Sequence, residues 1–107
     1  MISKELLETI NNINKKLVEK QNYDTKNTKI LASCVKLQEE TWELSREILT
    51  FLKITRKKKI DNFSFEDLES EFADVVLSLL VLSNDMWVDI NKVIQHKLEI
   101  IKDRGGV

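Results

Sequence analysis

Apolar residues recur at three- and four-residue steps along most of the chain, the spacing that aligns one face of an α-helix. Leu6, Ile10, Ile13 and Leu17 predict a first helix over residues 3–21, with Ser3 as its N-cap and Lys, Glu and Asn on its polar face. Residues 22–28 are rich in Asn, Asp and Thr and read as a loop. Ile30, Leu37, Leu44, Ile48 and Leu52 then define a long second helix. The basic run at 56–59 reads as a solvated loop, and Ser64 followed by Asp67 resembles a helix start, placing a third helix over residues 65–84. Asp89 is positioned to cap a fourth helix whose stripe is Ile90, Val93, Ile94, Leu98 and Ile101, ended by Gly105 and Gly106. Proline is absent and those two glycines are the only ones, so the residues that usually punctuate strands and hairpins are missing. The expected fold is all-α: a four-helix, bundle-like subunit with short connections, forming one domain over residues 1–107.

At 107 residues such a subunit buries a modest fraction of its surface, so assembly into a dimer or tetramer is expected. Charge narrows the partners. The 17 Lys and Arg nearly cancel 18 Asp and Glu, leaving no global field to attract nucleic acid or an anionic membrane. Cys34 stands alone and cannot close an intrachain disulfide, and no leader pattern precedes the first helix, so a cytoplasmic location is expected. The apolar run at 75–82 falls far short of the roughly 20 residues a bilayer span requires, which points to a soluble protein.

The third helix contains a contradiction. Glu71 and Asp74 sit one turn apart at the head of a segment that is otherwise almost wholly apolar. An ionised carboxylate in a core must be paired, protonated or bound to a cation. Upstream, Glu40, Glu43 and Glu47 fall on one strip of the second helix, beside Glu39, at the border of its apolar face. Antiparallel packing of the two helices would let the strips meet. Converging carboxylates raise one another's pKa unless a cation offsets their charge, and hard divalent cations prefer oxygen ligands. With no Cys or His in the set, structural zinc is disfavoured, and a di-iron bundle would call for Glu-x-x-His, which leaves Mg²⁺ or Mn²⁺. The competing explanations are a solvated acidic face for the second helix and a structural lysine partner for the Glu71–Asp74 pair. Lys97 lies inside the apolar stripe of the fourth helix with Arg104 two turns on. Snorkelling would explain both, as would a cationic clamp on substrate phosphates.

Taken together, Lys36-Leu-Gln-Glu-Glu-Thr-Trp-Glu-Leu44, Glu71-Phe-Ala-Asp-Val-Val76, Asp89-Ile90 and Lys97-Leu-Glu-Ile-Ile-Lys-Asp-Arg-Gly105 resemble the MazG-like, all-α nucleoside triphosphate pyrophosphohydrolases. The family's pattern is Glu-Glu-x-x-Glu, a spacer, then Glu-x-x-Asp, and the resemblance covers residues 29–106. It implies Mg²⁺-dependent hydrolysis of an NTP or dNTP to the monophosphate and pyrophosphate, a housecleaning activity, in a homodimer or homotetramer. Position by position, Glu40, Glu43, Glu71 and Asp74 match the metal ligands, and Glu39 the acidic residue that orients or deprotonates water. Lys97 and Arg104 match phosphate-binding positions, with Lys36 as a further phosphate contact. One departure is Trp42, where many members have glycine just before the third glutamate. It falls beside Leu31, Val35 and Leu49, away from the carboxylates, where it would pack on another helix or subunit. His96 projects away from the Lys97 face and reads as an exposed structural residue. Two alternatives stay open: a helical nucleotide-sensing or protein-interaction module without turnover, and phosphoribosyl-ATP hydrolysis.

Overall fold

A computed structural model describes residues 1–21 and 25–105. It contains five helices and no strand among the described residues: α1 (Lys4–Gln21), α2 (Lys26–Phe51), α3 (Lys57–Asp61), α4 (Phe65–Asp85) and α5 (Ile90–Gly105). The fold is all-α, as the apolar periodicity implied. Part of the loop expected over 22–28, and Gly106 as a helix stop, lie outside the described residues.

Side-chain caps set several of the boundaries. Ser3 Oγ accepts from Leu6 N–H at 3.1 Å, Thr25 Oγ1 accepts from Thr28 N–H at 3.1 Å, and Asp89 Oδ1 accepts from Lys92 N–H at 3.2 Å. Each satisfies an orphan donor of a first turn. Ser64 differs from expectation: it precedes α4 in extended backbone but makes no side-chain capping bond. The C-termini explain how helices stop in a body without glycine. After α2, Lys53 takes φ 61°, with Lys53 N–H donating to Thr50 and Ile54 N–H to Leu49. After α4, Trp87 takes φ 54°, with Trp87 N–H donating to Asn84 and Val88 N–H to Ser83. Both are left-handed caps of the kind glycine normally occupies.

The basic run corrects the sequence expectation. Instead of a loop it forms the short helix α3, which continues the chain's turn from α2 into α4. Lysine is compatible with helix, and the chain path between α2 and α4 sets this single turn without an apolar stripe.

The main packing is α2 against α4, with α1 laid on α4. Contacts along the pair establish that α2 and α4 run antiparallel: Lys29 near the start of α2 meets Asp85 at the end of α4, and Phe51 at the end of α2 meets Phe65 at the start of α4, ring centroids 6.3 Å apart. Asp85 ties three helices. Its Oδ2 accepts from Lys29 Nζ and Ser33 Oγ, each at 2.6 Å, and its Oδ1 accepts from Asn14 Nδ2 of α1 at 3.2 Å. A shared acceptor of this kind fixes helix register because one carboxylate answers donors from two other helices.

Apolar burial is sparse. Among the described residues only Ile10, Leu68 and Leu80 are buried hydrophobics, while Leu31, Val35, Trp42 and Leu49 on α2 and Val93, Ile94, Leu98 and Ile101 on α5 are exposed. The accessible surface is 8447 Å², against about 6,200 Å² expected for a compact monomer of this mass. The radius of gyration, 17.0 Å, likewise exceeds the ~13 Å of a compact chain this long. Among the described residues, side-chain hydrogen bonds tie α5 to another part of the chain at its start: Asn91 donates to the Ile2 carbonyl at 2.7 Å and accepts from Ile2 N–H at 3.2 Å. No described helix is long and apolar enough to cross a membrane.

Candidate metal centre and its groove

Antiparallel packing of α2 and α4 brings the two carboxylate strips together midway along the pair. Glu40, Glu43 and Glu71 each place a carboxylate oxygen such that all three lie within 4.8 Å of one another. Glu40 is buried, Glu71 half-buried and Glu43 exposed, so the cluster is open on one side. Glu40 Oε1 accepts from Lys36 Nζ at 2.8 Å, an i,i+4 pair within α2. Its other oxygen, Oε2, is buried with no hydrogen-bond partner, and so is Glu71 Oε2.

These orphaned oxygens test the fit of a metal. A buried acceptor without a donor costs ~1–3 kcal/mol, and more when ionised, so native chains meet such an oxygen with a donor, a water or a cation. Burial pushes the Glu71 carboxyl above its ordinary value of 4.5, and the neighbouring charges of Glu43, Asp74, Glu40 and Glu47 raise it further. Lys36 offsets part of this field: its hydrogen bond to Glu40 raises the ammonium above 10.5, against the lowering effect of its partial burial. An all-oxygen, all-carboxylate donor set that repels itself suits a hard divalent cation. Glu40, Glu43 and Glu71 are therefore the residues that fit Mg²⁺ or Mn²⁺.

Beside the cluster lies a groove of about 800 Å³. Glu43, Glu47 and Glu71 form its acidic wall, with Asp67 farther along α4; Arg46 of α2 and Arg56, Lys58 and Lys59 of the α3 segment line it as well. From sequence alone this basic run reads as a solvated loop, and Arg46 does not stand out. The available signal was Arg46 three positions after Glu43, which places the two on neighbouring parts of one helix face.

The other expected site residues are distributed as follows. Asp74 is half-buried one turn beyond Glu71 and adds to its field, but it is not among the three converging carboxylates. Lys36 is engaged with Glu40. Glu39 is exposed and lines a second, largely apolar groove between α1, α2 and α4. Lys97 and Arg104 are exposed on α5 and line neither groove. His96 is exposed, as expected.

Comparison with known proteins adds one partial similarity. The chain is 37% identical over 78 residues to the phospholipid-transporting ATPase NEO1 of Saccharomyces cerevisiae, a stretch covering 73% of this chain and 7% of that protein. The chain thus spans less than a tenth of that relative's length. No family model matches the chain. No solved structure matches it.

Proposed function

We propose that this chain is a Mg²⁺-dependent nucleoside triphosphate pyrophosphohydrolase of the MazG-like all-α type, acting in the cytoplasm as a homodimer or homotetramer. The observation that carries this reading is the meeting of Glu40, Glu43 and Glu71 within 4.8 Å, with buried oxygens of Glu40 and Glu71 lacking any donor. Carboxylates held this way suit polyphosphate chemistry better than structural pairing, because a lysine partner is present at Glu40 and still leaves those oxygens unmet. An interaction module without turnover has no comparable use for them.

Glu40, Glu43 and Glu71 would hold the metal, with Asp74 completing or orienting the set from the next turn of α4. When bound, Mg²⁺ would neutralise charge on the polyphosphate and polarise its phosphoryl oxygens as a Lewis acid. Lys36 limits the charge that Glu40 adds to the cluster and fixes its rotamer. Glu43, exposed at the mouth, is the carboxylate within reach of incoming substrate. Glu39 faces the second groove in this conformation, and Lys97 and Arg104 project on α5, so their parts in the reaction depend on how a second chain completes the site. The apolar faces of α2 and α5, together with about 2,000 Å² of accessible surface beyond that of a compact monomer, favour such an assembly.

The test is pyrophosphate release with Mg²⁺ and a nucleoside triphosphate panel. Glu43→Ala and Asp74→Ala are expected to abolish release while retaining the wild-type circular dichroism spectrum. Full activity in either folded variant would remove that residue from the site, and in both would overturn the proposal.

A further inference from the structure

The groove beside the carboxylates carries information about what it receives. Four cationic side chains, Arg46, Arg56, Lys58 and Lys59, and four carboxylates line one space of about 800 Å³. Among the described residues, none of those four cations forms an ion pair with any carboxylate within 4.0 Å. Apart from Arg46, which sits between Glu43 and Glu47 on α2, like charges are also segregated. The three converging carboxylates belong to the α2–α4 wall, whereas three of the four cations lie on or just before α3. A structural role would close the cations onto the acids in exposed salt bridges. Open separation of the two signs instead matches a ligand that is itself divided, with a cation at one end and oxyanions along the rest.

We propose that Arg46, Arg56, Lys58 and Lys59 grip the terminal phosphates of a nucleoside triphosphate whose metal is held by Glu40, Glu43 and Glu71. This rests on the metal assignment above and extends it to the substrate's polyphosphate. The acids take the metal and the basic α3 segment takes the phosphate oxygens the metal does not neutralise. Arg46 and Arg56 offer planar forks for bidentate contact, and Lys58 and Lys59 supply mobile point charges. The phosphate grip thereby comes from the turn between α2 and α4, on the same chain as the metal ligands, and α5 is not needed for it.

Binding measurements on the 107-residue chain test this. Inorganic tripolyphosphate is titrated calorimetrically in Mg²⁺ into wild type, into Arg56→Ala/Lys58→Ala/Lys59→Ala, and into a charge-matched control, Lys15→Ala/Lys16→Ala/Lys20→Ala on the exposed face of α1. Mn²⁺ binding to each is followed separately by electron paramagnetic resonance. The α3 variant is expected to lose ~10- to 100-fold in tripolyphosphate affinity, on the order of tenfold for each of one or two charge-assisted contacts. Its Mn²⁺ affinity stays within about twofold of wild type, because the carboxylates are intact. The control retains tripolyphosphate binding, and nucleoside triphosphates displace tripolyphosphate from wild type. Retention by the α3 variant, an equal loss in the control, or failure of nucleotides to compete overturns the proposal. Should the α3 variant lose helix content, Lys58→Gln/Lys59→Gln serves in its place with the same criteria. Absence of Mn²⁺ binding in wild type would instead overturn the metal assignment, an outcome distinct from failure of the phosphate grip.

Discussion

Replacing Glu71 by Gln should make the metal-free protein more stable, the reverse of what loss of an ordinary buried polar contact does. The carboxylate oxygens of Glu40, Glu43 and Glu71 lie within 4.8 Å of one another. At that separation two unit charges repel by ~1 kcal/mol at the dielectric constant of water and by ~3 kcal/mol at an effective value of ~20. Glu43 is exposed and Lys36 partly compensates Glu40, so the smaller figure governs each pair. Gln keeps the shape of Glu and removes the charge, and its amide offers donors to neighbouring carboxylates. Net stabilisation of about 1–2 kcal/mol is expected. For a domain of this size that raises the melting temperature by roughly 4–8 °C per kcal/mol. The assay is thermal unfolding in EDTA at pH 7.5 and fixed protein concentration, repeated with excess Mg²⁺. Wild type should gain stability from Mg²⁺, about 2.7 kcal/mol at a hundred times the dissociation constant, and Glu71→Gln should gain much less. If Glu71→Gln melts lower than wild type in EDTA, the Glu71 charge is favourably partnered and the repulsion argument fails.

Other consequences follow from named interactions. Because burial and then neighbouring carboxylates raise the Glu71 carboxyl, the folded chain binds that proton more tightly than the unfolded chain does. Its contribution to metal-free stability is therefore most favourable below the ordinary value of 4.5 and falls as pH rises through the elevated folded value. Urea unfolding of wild type and Glu71→Gln across that window should show the difference, and identical pH dependence would refute it. Asp85→Ala strips Lys29, Ser33 and Asn14 of their shared acceptor and should destabilise the fold by about 3 kcal/mol in chemical denaturation. A change below ~0.5 kcal/mol would show that the network does not hold α1, α2 and α4 together. Trp42→Glu, on an exposed α2 stripe, should leave helix content intact but shift sedimentation toward the monomer. Unchanged sedimentation would exclude that face as the interface.

Long apolar periodicity made the four principal helices legible, and Ser3 and Asp89 were readable as caps because short oxygen-bearing side chains there have few other uses. The short helix α3 was not legible. Five residues of Lys, Ile and Asp show no amphipathic stripe, and a one-turn helix is set by the chain path between two long neighbours. Helix ends at Lys53 and Trp87 were hidden because left-handed caps normally announce themselves as glycine. Within the site, Glu40, Glu43 and Glu71 could be grouped from spacing because antiparallel helices return opposite faces to one level. Asp74 belonged to the same strip but stands outside the tight cluster, a difference of side-chain reach that spacing does not encode. Arg46 of α2 and Arg56, Lys58 and Lys59 acquire meaning only once the turn through α3 brings them to line one groove with Glu43 and Glu71, and the placement of α5 leaves Lys97 and Arg104 outside both grooves.

The activity proposed for the carboxylate cluster is cleavage of nucleoside triphosphates between the α- and β-phosphorus. Phosphorus NMR of the full chain with Mg²⁺ and each common ribo- and deoxyribonucleoside triphosphate measures this directly, because every product is resolved. Expected are equal amounts of monophosphate and pyrophosphate from at least one substrate, lost on adding EDTA and lost in Glu43→Ala. Release of orthophosphate and diphosphate instead, or no turnover of any triphosphate by folded, metal-loaded protein, would contradict it.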